Sequence, residues 1–291
     1  MSLEISHVLL TRFNLPTPGV ESLIRAKDGW LRDRQALFER YCLPSVKDQS
    51  ERNFHWIIYF DAESPKWLRA RIAELSSDGT FVPLFRQSVP HAQLVQDVEE
   101  VAGRRTEILM TTNLDNDDAI SKDFVARLQA AVLGPERRAF YVSYGLIQQG
   151  RRLFLRLDPT NAFCTVSESW EEPSTCWFDW HNRLDRHMPT TQIPGEPGWL
   201  QMVHEGNVSN RIRGRRVSPA GFADAFGQVL QGVEIPGAGE LLFDRFVAAP
   251  IRRARDFLRD GAKGIIMRLG GKNGLDRLKL AVARGNRNQP Q

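Results

Sequence analysis

The residues best suited to chemistry form an acidic cluster near the middle of the chain, Asp115-Asn116-Asp117-Asp118. Three carboxylates within four residues repel one another, and a bound divalent cation relieves that repulsion. Mg²⁺ and Mn²⁺ favour hard oxygen ligands of this kind, and either ion can also bridge a diphosphate. The competing interpretation is an acidic turn before a helix, where the helix dipole favours negative charge. The cluster directly follows an apolar, strand-like segment, and this placement favours the metal site.

The elements around this cluster alternate between strand-like and helix-like segments through the first half of the chain. This alternation predicts an α/β fold with a mostly parallel central sheet flanked by helices. Ligands of such sheets bind beyond the carboxyl ends of the strands. Three polar segments lie at predicted strand ends, namely residues 11–14, Asp61 and residues 115–118, so we expect them to meet at one edge. The predicted strands are 5–10, 54–60, 81–85 and 107–112, and the predicted helices are 19–41, 67–75, 91–103 and 121–133.

The second half of the chain has a different character. Residues 139–147 and 152–157 resemble two strands joined by a turn, and residues 188–199 contain three prolines and two glycines, which predicts a loop. A Gly- and Pro-containing linker at 232–239 precedes a basic tail. We therefore predict one main α/β domain over residues 1–231 and a basic helical extension over residues 240–291.

The charge of the chain is unevenly distributed. Residues 250–291 carry 11 Lys/Arg and 3 Asp/Glu, so the tail has a net charge of +8 and the preceding part −4, within a total of +4. An acidic body is a poor nucleic-acid binder, which excludes that class of partner. The tail pattern is consistent with basic amphipathic helices on an anionic membrane surface. Packing of the same helices on the main domain is the alternative.

Composition and cysteine usage indicate an ordinary globular protein. The chain of 291 residues is 42% hydrophobic and 25% charged, and it contains no apolar run of 18 residues or more. Its beginning does not have the pattern of a secretory signal. Three dispersed cysteines form neither a metal-spaced pair nor an even disulfide set, which favours a reduced, cytoplasmic compartment. We expect a cytoplasmic protein, with peripheral contact at the inner face of the membrane if the tail binds lipid.

Four short blocks carry a resemblance to a known class of enzyme, namely residues 11–14, 41–49, 54–61 and 111–121. Together they resemble GT-A glycosyltransferases, whose acidic DXD segment is similar to Leu114-Asp115-Asn116-Asp117-Asp118. The pattern is most similar to a bacterial family of rhamnosyltransferases and covers roughly residues 5–215. The resemblance implies a Rossmann-like GT-A fold, a nucleoside diphosphate sugar donor, a hexosyltransferase activity and an Mn²⁺ or Mg²⁺ cofactor.

The resemblance also implies roles for individual residues. Asp115 and Asp117 would bind the metal, His204 would be a third ligand, and Asp115 and Asn116 would also contact the donor. An imidazole is a competent ligand beside carboxylates, although a lone histidine is more often structural. Asp61 would contact the base or the ribose of the donor. Thr11 and Asn14 would line the nucleotide pocket, and Arg12 would contact the diphosphate. A turn role for Asp61 and a surface salt bridge for Arg12 are equally compatible with the sequence.

An inverting transfer also needs a carboxylate that takes the proton of the acceptor hydroxyl. We favour Asp179, because aromatic neighbours can stack on sugars and would raise the pKa of a nearby carboxyl by desolvation. A purely structural acidic residue and a retaining mechanism without this base remain open. The other acidic candidates between the metal motif and His204 are Glu168, Glu171, Glu172 and Asp185.

The expected function is therefore transfer of a sugar from a nucleoside diphosphate sugar to a hydroxyl of a glycan or lipid-linked acceptor, in bacterial surface polysaccharide synthesis. Nucleotidyl transfer is disfavoured, because residues 11–19 contain one glycine rather than the glycine-rich, basic signature of activated-sugar pyrophosphorylases. A non-catalytic sugar-nucleotide-binding or membrane-docking module is the remaining alternative.

Overall fold

The computed structural model describes residues 3–16, 29–204 and 212–255. The first part of the predicted helix 19–41 and most of the predicted extension 240–291 lie outside these residues. The described strands, numbered in chain order, are β1 Ile5–Arg12, β2 His55–Asp61, β3 Val82–Arg86, β4 Ile108–Asn113, β5 Ala119–Ile120, β6 Arg138–Val142, β7 Tyr144–Gln149, β8 Arg152–Leu157, β9 Thr165–Glu168, β10 Thr190–Ile193, β11 Trp199–Val203 and β12 Arg215–Arg216.

The central sheet contains seven strands in the order β10-β6-β9-β4-β1-β2-β3. β1 pairs in parallel with both β4 and β2, and β2 pairs in parallel with β3. β9 is the antiparallel member, because it pairs antiparallel with β4 on one side and β6 on the other. The predicted α/β class with a mostly parallel central sheet is therefore confirmed, and the carboxyl ends of β1, β2 and β4 meet at one edge.

Helices and tight helical turns connect and flank these strands. The helix Trp30–Leu37 (α1) continues through a π-helical turn, Phe38–Cys42, into the helix Leu43–Lys47 (α2), so the chain reaches β2 through one broken helix. The described α-helices are α1 Trp30–Leu37, α2 Leu43–Lys47, α3 Lys66–Leu75, α4 His91–Ala102, α5 Phe124–Ala130, α6 Ala223–Phe226 and α7 Ala238–Phe243. After α7 a π-helical turn, Asp244–Ala248, leads into further helical backbone that reaches residue 255.

The core lies on both faces of the central sheet, because strand side chains alternate between the two faces. Leu9, Trp56 and Ile58 pack with the aromatic side chains of the α1–α2 side. Leu10 and Tyr59 pack on the opposite face with α4. Strands that are buried on both faces form a rigid platform, so the loops at their carboxyl ends have fixed starting points.

A second sheet of five strands, in the order β12-β8-β7-β11-β5, was not predicted. The predicted strand 139–147 is in fact two strands in different sheets, with the break at Ser143. β7 passes close to β11, since a Cβ on Gly145 would lie 2.0 Å from a ring atom of the buried Trp199. The glycine allows this close approach, and the approach positions β11.

Two further sequence predictions need correction. The predicted loop 188–199 contains β10, which extends the central sheet beside β6. Ser121 is not the cap of the following helix: α5 begins at Phe124 with Asp123 at its N-cap, and Ser121 donates a hydrogen bond to that carboxylate.

Among the described residues, no helix is long and apolar enough to cross a membrane.

Candidate functional site

The acidic segment predicted to carry chemistry is attached to the carboxyl end of β1. The Leu114 amide donates to the Leu10 carbonyl at 3.0 Å. The Asn116 amide nitrogen donates to the carbonyls of Arg12 and Phe13, at 3.1 and 2.7 Å. Asn116 is buried and both of these bonds are internal, so the structure gives it the role of fixing the acidic turn against β1.

Thr11 does not reach the edge where a nucleotide would lie, which corrects its predicted role. Its side chain is fully buried, and its hydroxyl donates to the Leu114 carbonyl at 2.7 Å. The same oxygen accepts a hydrogen bond from the Trp56 indole at 2.9 Å. In this conformation Thr11 therefore connects β1, β2 and the acidic turn, and it has no surface left for a direct contact with a ligand.

Asp117 and His204 come together although 87 residues separate them in the chain. The distance from Asp117 Oδ2 to His204 Nε2 is 2.9 Å, and the same oxygen lies 2.6 Å from Arg34 Nη1. Burial would raise the pKa of the Asp117 carboxyl, but the His204 hydrogen bond and the positive charge of Arg34 outweigh it. The pKa of Asp117 therefore lies below its usual range, and the group is a carboxylate at neutral pH.

The spacing of Asp117 and His204 fits a divalent cation. Two adjacent ligands of an octahedral ion with bonds of about 2.1 Å lie about 3 Å apart, and the two side-chain atoms are 2.9 Å apart. One hard oxygen with one imidazole is a reasonable pair of ligands for Mn²⁺ or Mg²⁺. Among the described residues, no three His, Cys, Asp or Glu side chains form a ready-made metal cluster.

The two neighbouring carboxyls differ from Asp117. Asp115 is exposed to solvent at the edge, yet the protein surrounding it and then the negative charge of Asp117 raise the pKa of its carboxyl. Asp118 is buried, and burial followed by the charges of Asp117 and Asp115 raises its pKa well above the usual range. Its Oδ1 accepts from the Met202 amide at 2.8 Å, which connects the acidic turn to β11 two residues before His204.

The donor-pocket candidates Asn14 and Asp61 lie together at the next strand end. Asn14 accepts a hydrogen bond from the Asp61 amide at 3.0 Å and donates to the Ser64 hydroxyl at 3.1 Å. Asn14 is buried, whereas the Asp61 side chain is partly exposed and accepts from the Glu63 amide at 2.8 Å. Asn14 therefore orders the turn after β2, and Asp61 is the member of this pair that can meet a ligand.

Arg12 lies beside the acidic turn, with its guanidinium over an aromatic ring. Its guanidinium carbon lies 3.9 Å from the centre of the Trp177 ring. The Trp177 indole donates to Asn113 at 2.7 Å, and Asn113 in turn lies 3.4 Å from an Asp115 oxygen. The segment after β9 is thus held against the acidic turn, with a cation and an aromatic face at the same edge.

Asp179 pairs with a histidine that the sequence did not single out. Its Oδ2 lies 3.0 Å from His187 Nε2, and its Oδ1 accepts from the Trp180 amide at 2.7 Å. The Trp180 amide and then His187 lower the pKa of the Asp179 carboxyl, so the predicted rise in pKa is wrong. The aromatic neighbours Phe178 and Trp180 are exposed, which is why they do not desolvate the carboxylate.

Sequence reasoning missed Arg34 and His181. His181 Nδ1 lies 2.5 Å from the Thr160 carbonyl, which fixes the proton on that nitrogen, and a positive charge on this ring would lower the pKa of the Asp115 carboxyl. Neither Arg34 nor His181 stands in a recognisable motif, since each reaches the site from a distant segment. The basic spacing on α1 was the only signal for Arg34, and such spacing is common on exposed helices.

An α/β sheet with an acidic turn beyond the carboxyl ends of its parallel strands defines a class of protein that binds a ligand at that edge. Within this class, a family model described as "Putative rhamnosyl transferase" matches residues 6–216, and the chain belongs to that family. A search of curated proteins gave no match.

Two solved structures illustrate what the fold is similar to. S. aureus TarS 1–349 in complex with UDP-GlcNAc is 11% identical, with a TM-score of 0.42 over 75% of this chain. The chain spans 64% of the length of that TarS structure. The inositol-1-phosphate CTP transferase from T. maritima is 9% identical, with a TM-score of 0.38 over 80% of this chain and 99% of that one.

Proposed function

We propose that the chain is a metal-dependent glycosyltransferase that moves a sugar from a nucleoside diphosphate sugar to a hydroxyl of a glycan or lipid-linked acceptor. Bacterial surface polysaccharide synthesis is the process that we infer for it. The observation that carries the proposal is the pairing of Asp117 with His204 at 2.9 Å, at the carboxyl edge of the sheet in a member of a sugar transferase family.

Asp115, Asp117 and His204 are the residues that would hold the Mn²⁺ or Mg²⁺ ion. When bound, the ion neutralises the charge that develops on the departing nucleoside diphosphate. Asp117 supports this role best, because it is already a carboxylate and is buried beside the imidazole. Asp115 is exposed at the edge, so it can turn between the ion and the donor ribose.

The donor itself would extend along the edge from the acidic turn to the end of β2. Arg12 would meet the diphosphate, with its guanidinium plane supported by the Trp177 ring at 3.9 Å. Asp61 would meet the base or ribose, and Asn14 would hold the turn that presents it. Asn116 would act on the donor indirectly, because its amide fixes the acidic turn.

The base that takes the acceptor proton would be Asp179, acting with His187. The Asp179 carboxylate would take the proton, and the imidazole 3.0 Å away would hold the carboxylate in position through a hydrogen bond. His181 is a second candidate. Its Nδ1 is held by the Thr160 carbonyl, and among the described residues no hydrogen bond is made to its Nε2, which leaves that nitrogen available as a base.

We further propose that the chain works in the cytoplasm and touches the inner face of the membrane through its C-terminal helical part. α7 and the helix after it expose a row of large apolar side chains. Basic residues lie beside this row, and the sequence beyond residue 255 adds eight Lys/Arg against three Asp/Glu. Apolar insertion together with attraction to anionic lipid is the physical basis of such binding. The exposed row comprises Leu242, Phe243, Phe246, Val247 and Ile251.

The test is thermal stability of the protein with UDP, GDP, dTDP or CMP, each with Mn²⁺ or with EDTA. A ligand that binds only the folded state raises the melting temperature by mass action. We expect one nucleotide to raise it in Mn²⁺ and not in EDTA, and this nucleotide names the donor class. The absence of a shift with every nucleotide, in folded protein, would contradict the proposal.

The alternative function is a non-catalytic module that binds a sugar nucleotide or docks on a membrane without transferring the sugar. Such a module would also bind the nucleotide in the thermal-stability test, but it would not transfer the sugar or hydrolyse the donor. Metal-dependent nucleotide binding without sugar transfer or donor hydrolysis would favour this alternative.

A further inference from the structure

Arg34 contacts the residue on which the proposed metal site depends. It lies on α1, and its Nη1 is 2.6 Å from Asp117 Oδ2 and 3.0 Å from Asn116 Oδ1. Asn116 is fixed by its two bonds to the carbonyls at the end of β1, so its oxygen points at the guanidinium. Arg34 and Asp117 side chains are 17% and 6% exposed, so this ion pair is shielded from solvent.

The guanidinium has hydrogen-bonding capacity that the described part of the chain does not use. Arg34 Nε is buried and has no hydrogen-bond partner among the described residues. A buried donor without a partner costs free energy, and a phosphate oxygen would satisfy it. Arginine also presents a planar fork that matches the oxygens of a phosphate group. This side chain is therefore equipped for an anion that the described residues do not provide.

A divalent ion and the Arg34 guanidinium cannot both bind closely to Asp117 Oδ2. An ion bound at about 2.1 Å from that oxygen would lie close to a guanidinium nitrogen that is itself 2.6 Å from the same atom. Like charges at such a separation repel strongly in a shielded site. The repulsion disappears only if the guanidinium moves to another anion, and the diphosphate of a donor is such an anion.

We propose that Arg34 is a placeholder for the metal ion. Its guanidinium neutralises Asp117 until the donor diphosphate draws the guanidinium away. The inference rests on the proposed function, because it assigns a role within the same metal and donor site. It makes the metal and the nucleotide bind cooperatively: each binds weakly alone and more tightly in the presence of the other. Free Mn²⁺ is then kept out of the empty site.

The test is the affinity for Mn²⁺, measured by electron paramagnetic resonance with and without the nucleoside diphosphate identified by thermal stability. We expect Arg34→Gln to bind Mn²⁺ about tenfold more tightly than the wild type without nucleotide, in line with typical coupling between two sites. The extra affinity that the nucleotide gives to Mn²⁺ should shrink correspondingly. Arg32→Gln is the matched control, because Arg32 lies on the same helix with its guanidinium 4.5 Å from the Trp67 ring.

Arg34→Lys keeps the positive charge without the fork and should give an intermediate affinity, so it carries the test if Arg34→Gln does not fold. Unchanged or weaker Mn²⁺ binding by Arg34→Gln without nucleotide would overturn the placeholder role. In that case Asp117→Asn would still lose metal-dependent nucleotide binding if the proposed function is right. If neither the wild type nor any variant binds Mn²⁺, with or without the nucleotide, both the placeholder role of Arg34 and the proposed function are overturned.

Discussion

Asp117 is the residue on which the account depends most, because an imidazole and a guanidinium meet at its carboxylate. His204 and Arg34 contact the same oxygen at 2.9 and 2.6 Å. These two contacts keep the pKa of Asp117 low in spite of its burial. Its neighbour Asp118 has the opposite behaviour, with a pKa well above the usual range. The two adjacent carboxyls therefore have separate roles, one ionised beside the edge and one buried against β11.

The choice of base can be tested at the scale of single residues. We expect Asp179→Asn to lower kcat about 10²- to 10⁴-fold, the usual contribution of a general base, while nucleotide binding stays unchanged. The matched control is Asp185→Asn, which removes a carboxylate from the neighbouring turn His181–Arg186. Full activity of Asp179→Asn combined with inactivity of His181→Gln would transfer the role of base to His181.

The sequence predicted the acidic turn well and its surroundings less well. Asp117 stands in a motif with a recognisable spacing, and His204 entered through the resemblance. Arg34 and His181 could not be found, because Arg34 contacts a residue 83 positions away and His181 acts through its charge on a residue 66 positions away. Thr11 was assigned to the nucleotide pocket from the resemblance, but alternation along β1 directs it inward to Trp56.

At the scale of elements, the close approach of β7 to β11 positions the strand that ends before His204. Gly145 makes this approach possible, because an added Cβ would meet the buried Trp199 ring at 2.0 Å. We expect Gly145→Ala to lower the free energy of unfolding by about 1–3 kcal/mol, as overpacking does in a tight core. Denaturant unfolding measures the change.

Gly134→Ala is the control, because an added Cβ there meets nothing within 4 Å. We expect it to change stability little. A Gly145→Ala protein as stable as the wild type would show that β7 and β11 are not packed as closely as described.

Packing between β1 and β4 should also give stability a pH dependence through His7. Burial lowers the pKa of this imidazole to about 3, against 6.5 for a free one. As pH falls below 6.5, the imidazole becomes protonated in the unfolded chain but stays neutral in the folded protein. The free energy of unfolding therefore decreases, by about 1.4 kcal/mol per pH unit at most. The decrease should be measurable between pH 6.5 and 5 by denaturant unfolding.

His7→Gln should flatten this slope, because glutamine does not titrate and can still reach the Thr112 hydroxyl that His7 contacts at 2.8 Å. His55→Gln, at the exposed start of β2, is the control and should leave the slope unchanged. An equal slope in His7→Gln and the wild type would assign the pH dependence to other groups.

Periodicity predicted the parallel part of the central sheet, since β1, β2 and β4 are apolar runs buried on both faces, whereas β3 is a partly exposed edge strand. It did not predict the second sheet. β6 and β7 form one continuous apolar run, and only tertiary packing makes the chain change sheets at Ser143. β5 and β12 have two residues each, which is too short for any pattern to indicate.

At the scale of the whole molecule, charge and exposed apolar surface are concentrated at the C-terminal side. The exposed apolar row on α7 and the helix after it lies next to Arg245 and Arg253, which are also exposed. On the inner side of the same helix, Asp244 accepts from the Arg216 amide at 2.7 Å and pairs with Arg252 at 2.8 Å. The helix is thus anchored by polar contacts, and its apolar row faces outward.

Membrane contact through this row can be measured by sedimentation with vesicles that contain anionic lipid. We expect the double variant Phe243→Ser, Phe246→Ser to lose about tenfold or more in binding, because each buried aromatic side chain contributes about 1.5–3 kcal/mol. Ile235→Ser, which removes an exposed apolar residue outside the helix, is the control. Equal binding of the double variant and the wild type would contradict a membrane role for the row.

The most direct test of the account is release of sugar from the donor whose nucleotide stabilises the protein. With Mn²⁺ and no acceptor we expect slow hydrolysis of the sugar–phosphate bond by the wild type and faster transfer once a hydroxyl acceptor is added. EDTA should abolish both reactions, and Asp117→Asn should lower them by about 10²-fold or more, the scale of a lost electrostatic contact in a transition state. Equal rates in Asp117→Asn and the wild type would contradict the assignment of this site.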